Sequence, residues 1–472
     1  MAPYSPLPQS QFDLESPSSP SPSLSSRIHD LLTRLRTASL LADFKPRTLR
    51  LLAWAGASIV LLALLGLSLN TAGGSSHVTG GGRGSWGAYS SWIGEWRAGK
   101  ENAAQDANEG DWRDLPENEG LLDPVMVKDE KSGLLMPPDV YPSALNPFKR
   151  ANAALVALVR NNEREAMRDS MRSLESRFNK KFGYPWVFMN DEPFDDAFKT
   201  GVMSLTRSEV FFHVIPREHW SYPSSVNQTY AAQERQKMVD EGVIYGGSES
   251  YRHMCRFNSG FFYRQKVLES FDRYWRVEPG VEFFCDIDYD PFILMEANKK
   301  VYGFTTLLYE YRRTVETLWD TTREFARLHP EYIHPDNAIG FLVDDQSKGL
   351  LDGDWNLCHA WSNFEIGDLR FWRSEAYEKY FEFLDKTGNF FYERWGDAPV
   401  HTFGVMLLLP KEALHNFDDI AYRHNPYTHC PRKPGLYENG KCECPPQNSF
   451  DFDGYSCMPR WYERMGKPSW ET

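Results

Sequence analysis

Five carboxylates crowd one stretch of the chain, "YWRVEPGVEFFCDIDYD": Glu278, Glu282, Asp286, Asp288 and Asp290. Hard oxygen donors at the end of a strand can hold a divalent cation against a nucleotide diphosphate, with phosphate oxygens and water completing the octahedron. Asp286-Ile287-Asp288 has the Asp-x-Asp form usual for that task, and Glu278 does not. The bland alternative is an acidic loop facing water. Arg276 shares the strand parity of Glu278 and can pair with it or with a diphosphate, since arginine is the bidentate phosphate clamp.

The elements that must position these groups alternate. "YPWVFMNDEPF" reads as a short buried strand ending at Asn190-Asp191, "EVFFHVI" (209–215) as a second, "RYWRVE" as a third and "KVYGFTTLL" as a fourth. Leu155, Leu158, Val159, Met167, Met171, Leu174 and Phe178 recur at helical spacing and predict one long amphipathic helix. Further helices are expected over "AAQERQKMVDEG", at 315–328, 374–386 and 398–408. Alternating strands and helices imply an α/β core with a largely parallel sheet, whose ligands bind beyond the carboxyl ends of the strands. No G-x-G-x-x-G follows a strand and no G-x-x-x-x-G-K-[ST] occurs, which argues against NAD enzymes and P-loop NTPases.

Of the 472 residues, 1–26 are Ser/Pro-rich and the tail to residue 50 turns basic. Leu51 to Leu69 carries no charge and matches the length needed to cross a bilayer core of roughly 30 Å. Basic residues gather before it, so the positive-inside bias makes it a signal anchor with 1–50 cytosolic and the remainder lumenal. Residues 70–145 read as a stem, and 146–472 as the globular domain with a Cys-rich tail over 430–472. Asn227-Gln228-Thr229 is a glycosylation acceptor. Four of the seven cysteines lie in that tail, as in a disulfide-stapled segment, and an odd total leaves at least one thiol unpaired. A net charge of −13 argues against a nucleic-acid partner, and 14% aromatic residues suit sugar stacking or a large core. An anchored lumenal α/β domain on a stalk suggests a Golgi glycosyltransferase on layout alone.

From about residue 146 to 431 the segments "YPWVFMNDEPF", "YRHMCRFNSGFFYR", "YWRVEP", "FCDIDYDPF", "NLCHAWSNFEIGD" and "YRHNPYTHCP" resemble, in order, the fungal α-1,2-mannosyltransferases of the Kre2/Mnt1 type (glycosyltransferase family 15). The resemblance implies a GT-A fold in a type II Golgi membrane protein, GDP-mannose as donor, Mn²⁺ as cofactor and retention of the α configuration. It makes Glu278 and His424 the metal ligands and leaves Asp286-x-Asp288 a bystander. Gly280 departs from relatives, which often carry Asp after the Glu-Pro step. Glu365 becomes the candidate nucleophile or oxocarbenium stabiliser; its plainer reading is a helix N-cap or structural acid. Tyr251, Arg252, Arg276, Asn190 and Asp191 are the candidate donor-binding residues, and Asp397 and His401 the candidate acceptor-binding ones, with a mannosylated glycoprotein or glycan as acceptor. Phe390, Phe391, Tyr392 and Trp395 could stack on sugar or simply fill the core. Two other readings stand beside this one: a lumenal mannose-binding relative without activity, and a glycoside hydrolase. The intact set Glu278, His424 and Glu365 favours the transferase.

Overall fold

A computed structural model of the protein describes residues 114–466, Pro142 and Pro434 excepted. The anchor, the tail before it and the stem up to residue 113 lie outside the described residues. Among the described residues no helix is long and apolar enough to cross a membrane.

The sheet starts where a helix was expected. Ala153–Leu158 is strand β1, six residues of unbroken apolar sequence with five of them buried. Periodicity alone cannot tell so short a run from a buried helix. The helix begins later: α1 spans Arg164–Leu174, buries Met167, Met171 and Leu174, and ends in a π-turn over Glu175–Asn179. Then follow β2 (Trp186–Asn190), α2 (Asp196–Met203) and β3 (Val210–Val214). Helices α3 (Gln228–Asp240) and α4 (Glu249–Gly260) are N-capped by Asn227 and Ser248, whose side chains accept the amides of Tyr230 and Tyr251. Next come β4 (Arg273–Arg276), β5 (Glu282–Phe283) and α5 (Pro291–Ala297). The fourth expected strand is broken at Thr305-Thr306 into β6 (Tyr302–Phe304) and β7 (Leu307–Tyr309). The remaining elements are α6 (Leu318–Leu328), β8 (Cys358–Ala360), β9 (Glu365–Asp368), α7 (Glu375–Asp385), α8 (Asp397–Leu408), β10 (Leu414–Asn416), β11 (Tyr422–His424), β12 (Tyr427–His429) and α9 (Met458–Met465).

Seven strands form the main sheet in the order β10-β6-β9-β4-β1-β2-β3. All run parallel except β9, which is antiparallel to both β4 and β6. The fold is therefore mixed α/β. Apolar residues cover both faces, as a largely parallel sheet requires. Trp186, Phe188 and Trp275 pack with α1, α2 and α5 on one side, and Val187, Tyr274 and Tyr302 pack with α4, α7 and α8 on the other. Strands β12-β11-β5 make a second, antiparallel sheet, and β7 pairs with β8.

Two boundaries differ from the sequence reading. Part of the expected stem belongs to the body: Asn118 exchanges hydrogen bonds with the backbone of Arg150, and the Val140 amide donates to Asp288 O at 2.6 Å. The tail is not stapled to itself alone. Only Cys430–Cys444 lies within it, whereas Cys285–Cys442 and Cys358–Cys457 tie it back to the domain, and Cys255 is a free, buried thiol.

Candidate active site

Pairing register sets the floor of the site. Glu365 of β9 stands opposite Arg276 of β4, and Gly367 opposite both Tyr274 of β4 and Tyr302 of β6. With side chains alternating along each strand, these residues share the face covered by α4 and α8. A Cβ on Gly367 would meet the Tyr274 ring at 2.6 Å, so glycine leaves the ring its place. Tyr274 then donates its hydroxyl to Glu365 Oε1 at 2.8 Å, and Tyr302 donates to Oε2 at 3.1 Å. Glu365 is therefore a strand residue, not a helix cap, and only 1% exposed.

Helix α8 brings two more groups onto this face. Its N-cap is Gly396, and Asp397 instead turns inward. There Asp397 Oδ2 accepts from Arg276 Nη1 at 2.6 Å and from the Ser362 hydroxyl at 2.8 Å. One turn later His401 reaches Glu365 Oε2 with Nδ1 at 3.0 Å. His401 is fully buried, so it lines no acceptor groove; it lies beneath Glu365.

Beyond the end of β4, Glu278 and His424 converge. His424 Nε2 lies 3.4 Å from Glu278 Oε2, while Arg276 Nη2 donates to Glu278 Oε1. Burial raises the Glu278 pKa, but Arg276 and His424 outweigh it and bring the carboxyl down to about 2. Pro279 ends the strand, and Gly280 turns the chain at φ +80°, a left-handed conformation that glycine adopts without strain. His424 Nδ1 faces the Asn425 carbonyl at 3.1 Å and must donate to it. With Nδ1 so engaged, Nε2 is the ring nitrogen left to face Glu278 and the one a metal would take, as in histidine ligands whose other nitrogen is tied to a carbonyl. Trp361 packs edge-on against the imidazole at 4.9 Å. A carboxylate oxygen and an imidazole nitrogen aimed at one point fit a divalent cation. Among the described residues no group of three or more His, Cys, Asp or Glu could hold one. Two protein ligands plus substrate oxygens and water is the pattern of sites that bind a cation together with a phosphate.

The rest of the acidic stretch is structural, neither at the site nor free in water. Asp286 pairs with Arg177 at 2.9 Å, and Glu282 with Arg423. Asp290 caps α5 and accepts the Tyr184 hydroxyl at 2.6 Å; burial pushes its pKa up to about 6 despite those donors. Asp288 is buried between Lys181 and Lys441, each at 2.7 Å. Burial raises its pKa, but the two lysines win and the net shift is downward. A carboxyl depressed in this way stabilises the fold above its ordinary range and loses that contribution as pH falls through the lowered value. Asp288→Asn strands Lys181, whose side chain is only 4% exposed, and should cost about 3 kcal/mol in urea unfolding. The response of activity to a divalent cation should not change; if it did, the Asp-x-Asp reading would return.

Several candidates lie away from the Glu278–Glu365 face. Arg252 is fully buried and donates to the carbonyls of Glu393, at 3.1 Å, and Ser248, at 2.9 Å, so it is a structural tie and not a phosphate clamp. Arg276, the other candidate clamp, is engaged with Glu278 and Asp397. Tyr251 stacks on Tyr245 at 4.6 Å with the Arg394 guanidinium over its ring, at the Asp397 end of the face. Asn190, buried, and Asp191, exposed, end β2 at the carboxyl edge of the sheet. Asn227 is exposed. Phe390, Phe391 and Trp395 are wholly buried core, which removes the stacking platform. Sequence reasoning passed over Tyr274, Tyr302 and Ser362. Tyr274 carried a signal, since Tyr274, Arg276 and Glu278 sit two apart along one strand; Tyr302 and Ser362 carried none.

Comparison with known proteins identifies the family. The family model described as glycolipid 2-alpha-mannosyltransferase matches residues 119–466. A glycolipid 2-alpha-mannosyltransferase of Saccharomyces cerevisiae is 50% identical over 327 residues, covering 69% of this chain and 73% of that protein. An O-glycoside alpha-1,2-mannosyltransferase of Schizosaccharomyces pombe is 45% identical over 323 residues, 68% of this chain and 81% of its own. Two solved structures share the fold at 36% identity. One is the core-mannan synthase A of Aspergillus fumigatus in a Mn/GDP form (TM-score 0.64; 73% of this chain, 99% of that one). The other is the mannosyltransferase Ktr4p of S. cerevisiae in complex with GDP (TM-score 0.65; 77% and 94%). The chain is a glycosyltransferase and belongs to the glycolipid 2-alpha-mannosyltransferase family.

Proposed function

We propose that the protein transfers mannose from GDP-mannose, with retention, to the 2-hydroxyl of a mannose on a glycoprotein or glycan acceptor, in a GT-A fold. The observation that carries this reading is the convergence of Glu278 and His424 at the end of β4, with the other ring nitrogen of the histidine tied to a carbonyl. Relatives crystallised with Mn²⁺ and GDP support the cofactor and donor. Bound there, Mn²⁺ would offset the charge that develops on the departing diphosphate.

The protein groups divide the remaining work. Arg276 and His424 hold the Glu278 carboxyl well below the usual carboxylate range, so it is ionised at neutral pH and is a standing ligand. Arg276 braces it against Asp397, whose carboxylate also accepts the Ser362 hydroxyl. Glu365, held by two tyrosines and a histidine, serves as a fixed anion that steadies positive charge on the sugar. Its donors leave it little freedom to attack. Asn190 and Asp191, at the carboxyl edge of the sheet, border the donor side, and Tyr251 stays at the Asp397 end of the face. The charge-free stretch 51–69, with basic residues before it, supports a type II anchor in the Golgi membrane, with the domain lumenal and Asn227 open to glycosylation.

The test is a transfer assay on the detergent-solubilised full chain with GDP-mannose and α-methyl-mannoside. Mn²⁺-dependent formation of an α-1,2-linked disaccharide, abolished by a chelator and restored by Mn²⁺, is the expected result. Failure to bind GDP-mannose with Mn²⁺ present would overturn the reading.

A further inference from the structure

Buried beneath the metal-binding pair lies a second arrangement that neither the cation nor the donor accounts for. His401 is wholly enclosed and both of its ring nitrogens are engaged. Nε2 sits 2.9 Å from the Asn258 carbonyl, which can only accept, so Nε2 carries a proton. Nδ1 sits 3.0 Å from Glu365 Oε2. A neutral ring would then turn its lone pair onto an ionised carboxylate, a repulsive contact between two buried groups. Two arrangements avoid that: an imidazolium donating to the carboxylate, or a neutral ring accepting from a protonated Glu365.

The placement of Asn258 decides between them. It lies in the last turn of α4, so its carbonyl is one of the four at the helix end without an intrahelical partner. That end carries the negative pole of the helix dipole and favours a cation. Asn258 O on one side and Glu365 on the other thus bracket the ring with negative charge. The other groups facing the pair agree. Tyr274 from β4 and Tyr302 from β6 both donate to Glu365, Arg276 Nη1 is 4.0 Å from Oε1, and Trp372 and Tyr377 contribute rings rather than charges. Asp397, the other carboxylate of α8, is engaged by Arg276 and Ser362.

We propose that His401 is a positioning residue which, as an imidazolium locked between the carboxyl end of α4 and Glu365, keeps Glu365 anionic and aimed at the sugar. The proposal rests on the reading of Glu365 given above. Its consequence is that turnover needs a hydrogen-bond donor at position 401: a side chain without one leaves Glu365 Oε2 unheld on that side and free to turn from the sugar.

The experiment compares wild type with His401→Asn, His401→Leu and Glu365→Gln in the full chain, following kcat, donor KM and GDP binding. Asparagine keeps a donor toward Glu365, and leucine does not. The expected result is that His401→Leu loses kcat by about 100-fold with donor KM nearly unchanged. His401→Asn should recover part of that loss, with GDP binding normal in both. A His401→Asn enzyme no better than a folded His401→Leu one, or folded His401→Leu with wild-type kcat, overturns the proposal. A Glu365→Gln enzyme with full turnover would instead remove the reading on which it rests, whatever the histidine variants do.

Discussion

Glu278→Gln should lower mannose transfer by about 1,000-fold, equivalent to about 4 kcal/mol of transition-state stabilisation, and erase the response to Mn²⁺. The substitution keeps the shape and one hydrogen-bonding oxygen but removes the charge. Three things change at once. A divalent ion loses its hard anionic ligand, His424 loses the carboxylate 3.4 Å from its Nε2, and Arg276 keeps only Asp397 as an ionised partner at hydrogen-bond distance. Glu278 remains partly exposed, so the fold should tolerate the amide. Calorimetric titration of Mn²⁺ with GDP, beside a thermal melt, separates the outcomes. Mn²⁺-dependent GDP binding that survived in a folded Glu278→Gln protein would place the cation elsewhere.

Cutting the Cys285–Cys442 bond, by changing both residues to alanine, should destabilise the domain by about 4–5 kcal/mol. The bond closes a loop over a sequence separation of 157, and the chain-entropy cost of leaving so long a loop open is of that order. The loss should also be felt at the site. Cys285 follows β5, β5 pairs with β11, and His424 is the last residue of β11. On the other side of the bond, the Asp286 amide donates to Lys441 O at 2.7 Å, and the Glu443 amide to Phe284 O at 2.9 Å. The tail therefore acts as an added edge to the strand pair that carries His424. Denaturant unfolding gives the stability, and Mn²⁺ titration of the variant gives the local effect. A variant with unchanged stability but weakened Mn²⁺ binding would show that the bond acts on the site alone; loss of neither would remove the tail from the account.

The sequence disclosed those elements whose patterns are local. β2, β3 and β4, and the helices at 318–328, 375–385 and 397–408, all appeared near where periodicity put them. β1 did not, because six apolar residues running into an amphipathic helix look like the start of that helix. β9 was invisible for another reason: "EIGD" is four residues long and draws its meaning from two neighbours it meets only in the folded sheet. The site divides in the same way. Glu278 could be named because a motif carried it, and the structure brings His424 to it across 146 positions of sequence. The role of His401 could not be read, since a histidine one turn after Asp397 looks as if it shares its surface until the burial of α8 is known. Arg252 misled because an arginine in an aromatic helix says nothing about whether its guanidinium faces phosphate or backbone carbonyls. The acids at 286, 288 and 290 look alike in sequence and differ only in the basic or hydroxyl partner that the fold supplies to each.

The disulfide pattern has a consequence for how the chain is made. Every bond uses at least one cysteine from the last 43 residues, and Cys255, Cys285 and Cys358 have no native partner among themselves. During synthesis at about 5–20 residues per second, Cys285 waits roughly 8–30 s before Cys442 follows it out of the ribosome. In an oxidising compartment the three earlier thiols have only one another to react with during that interval. Faithful maturation then depends on α4 burying Cys255 early, or on a disulfide isomerase undoing what forms too soon.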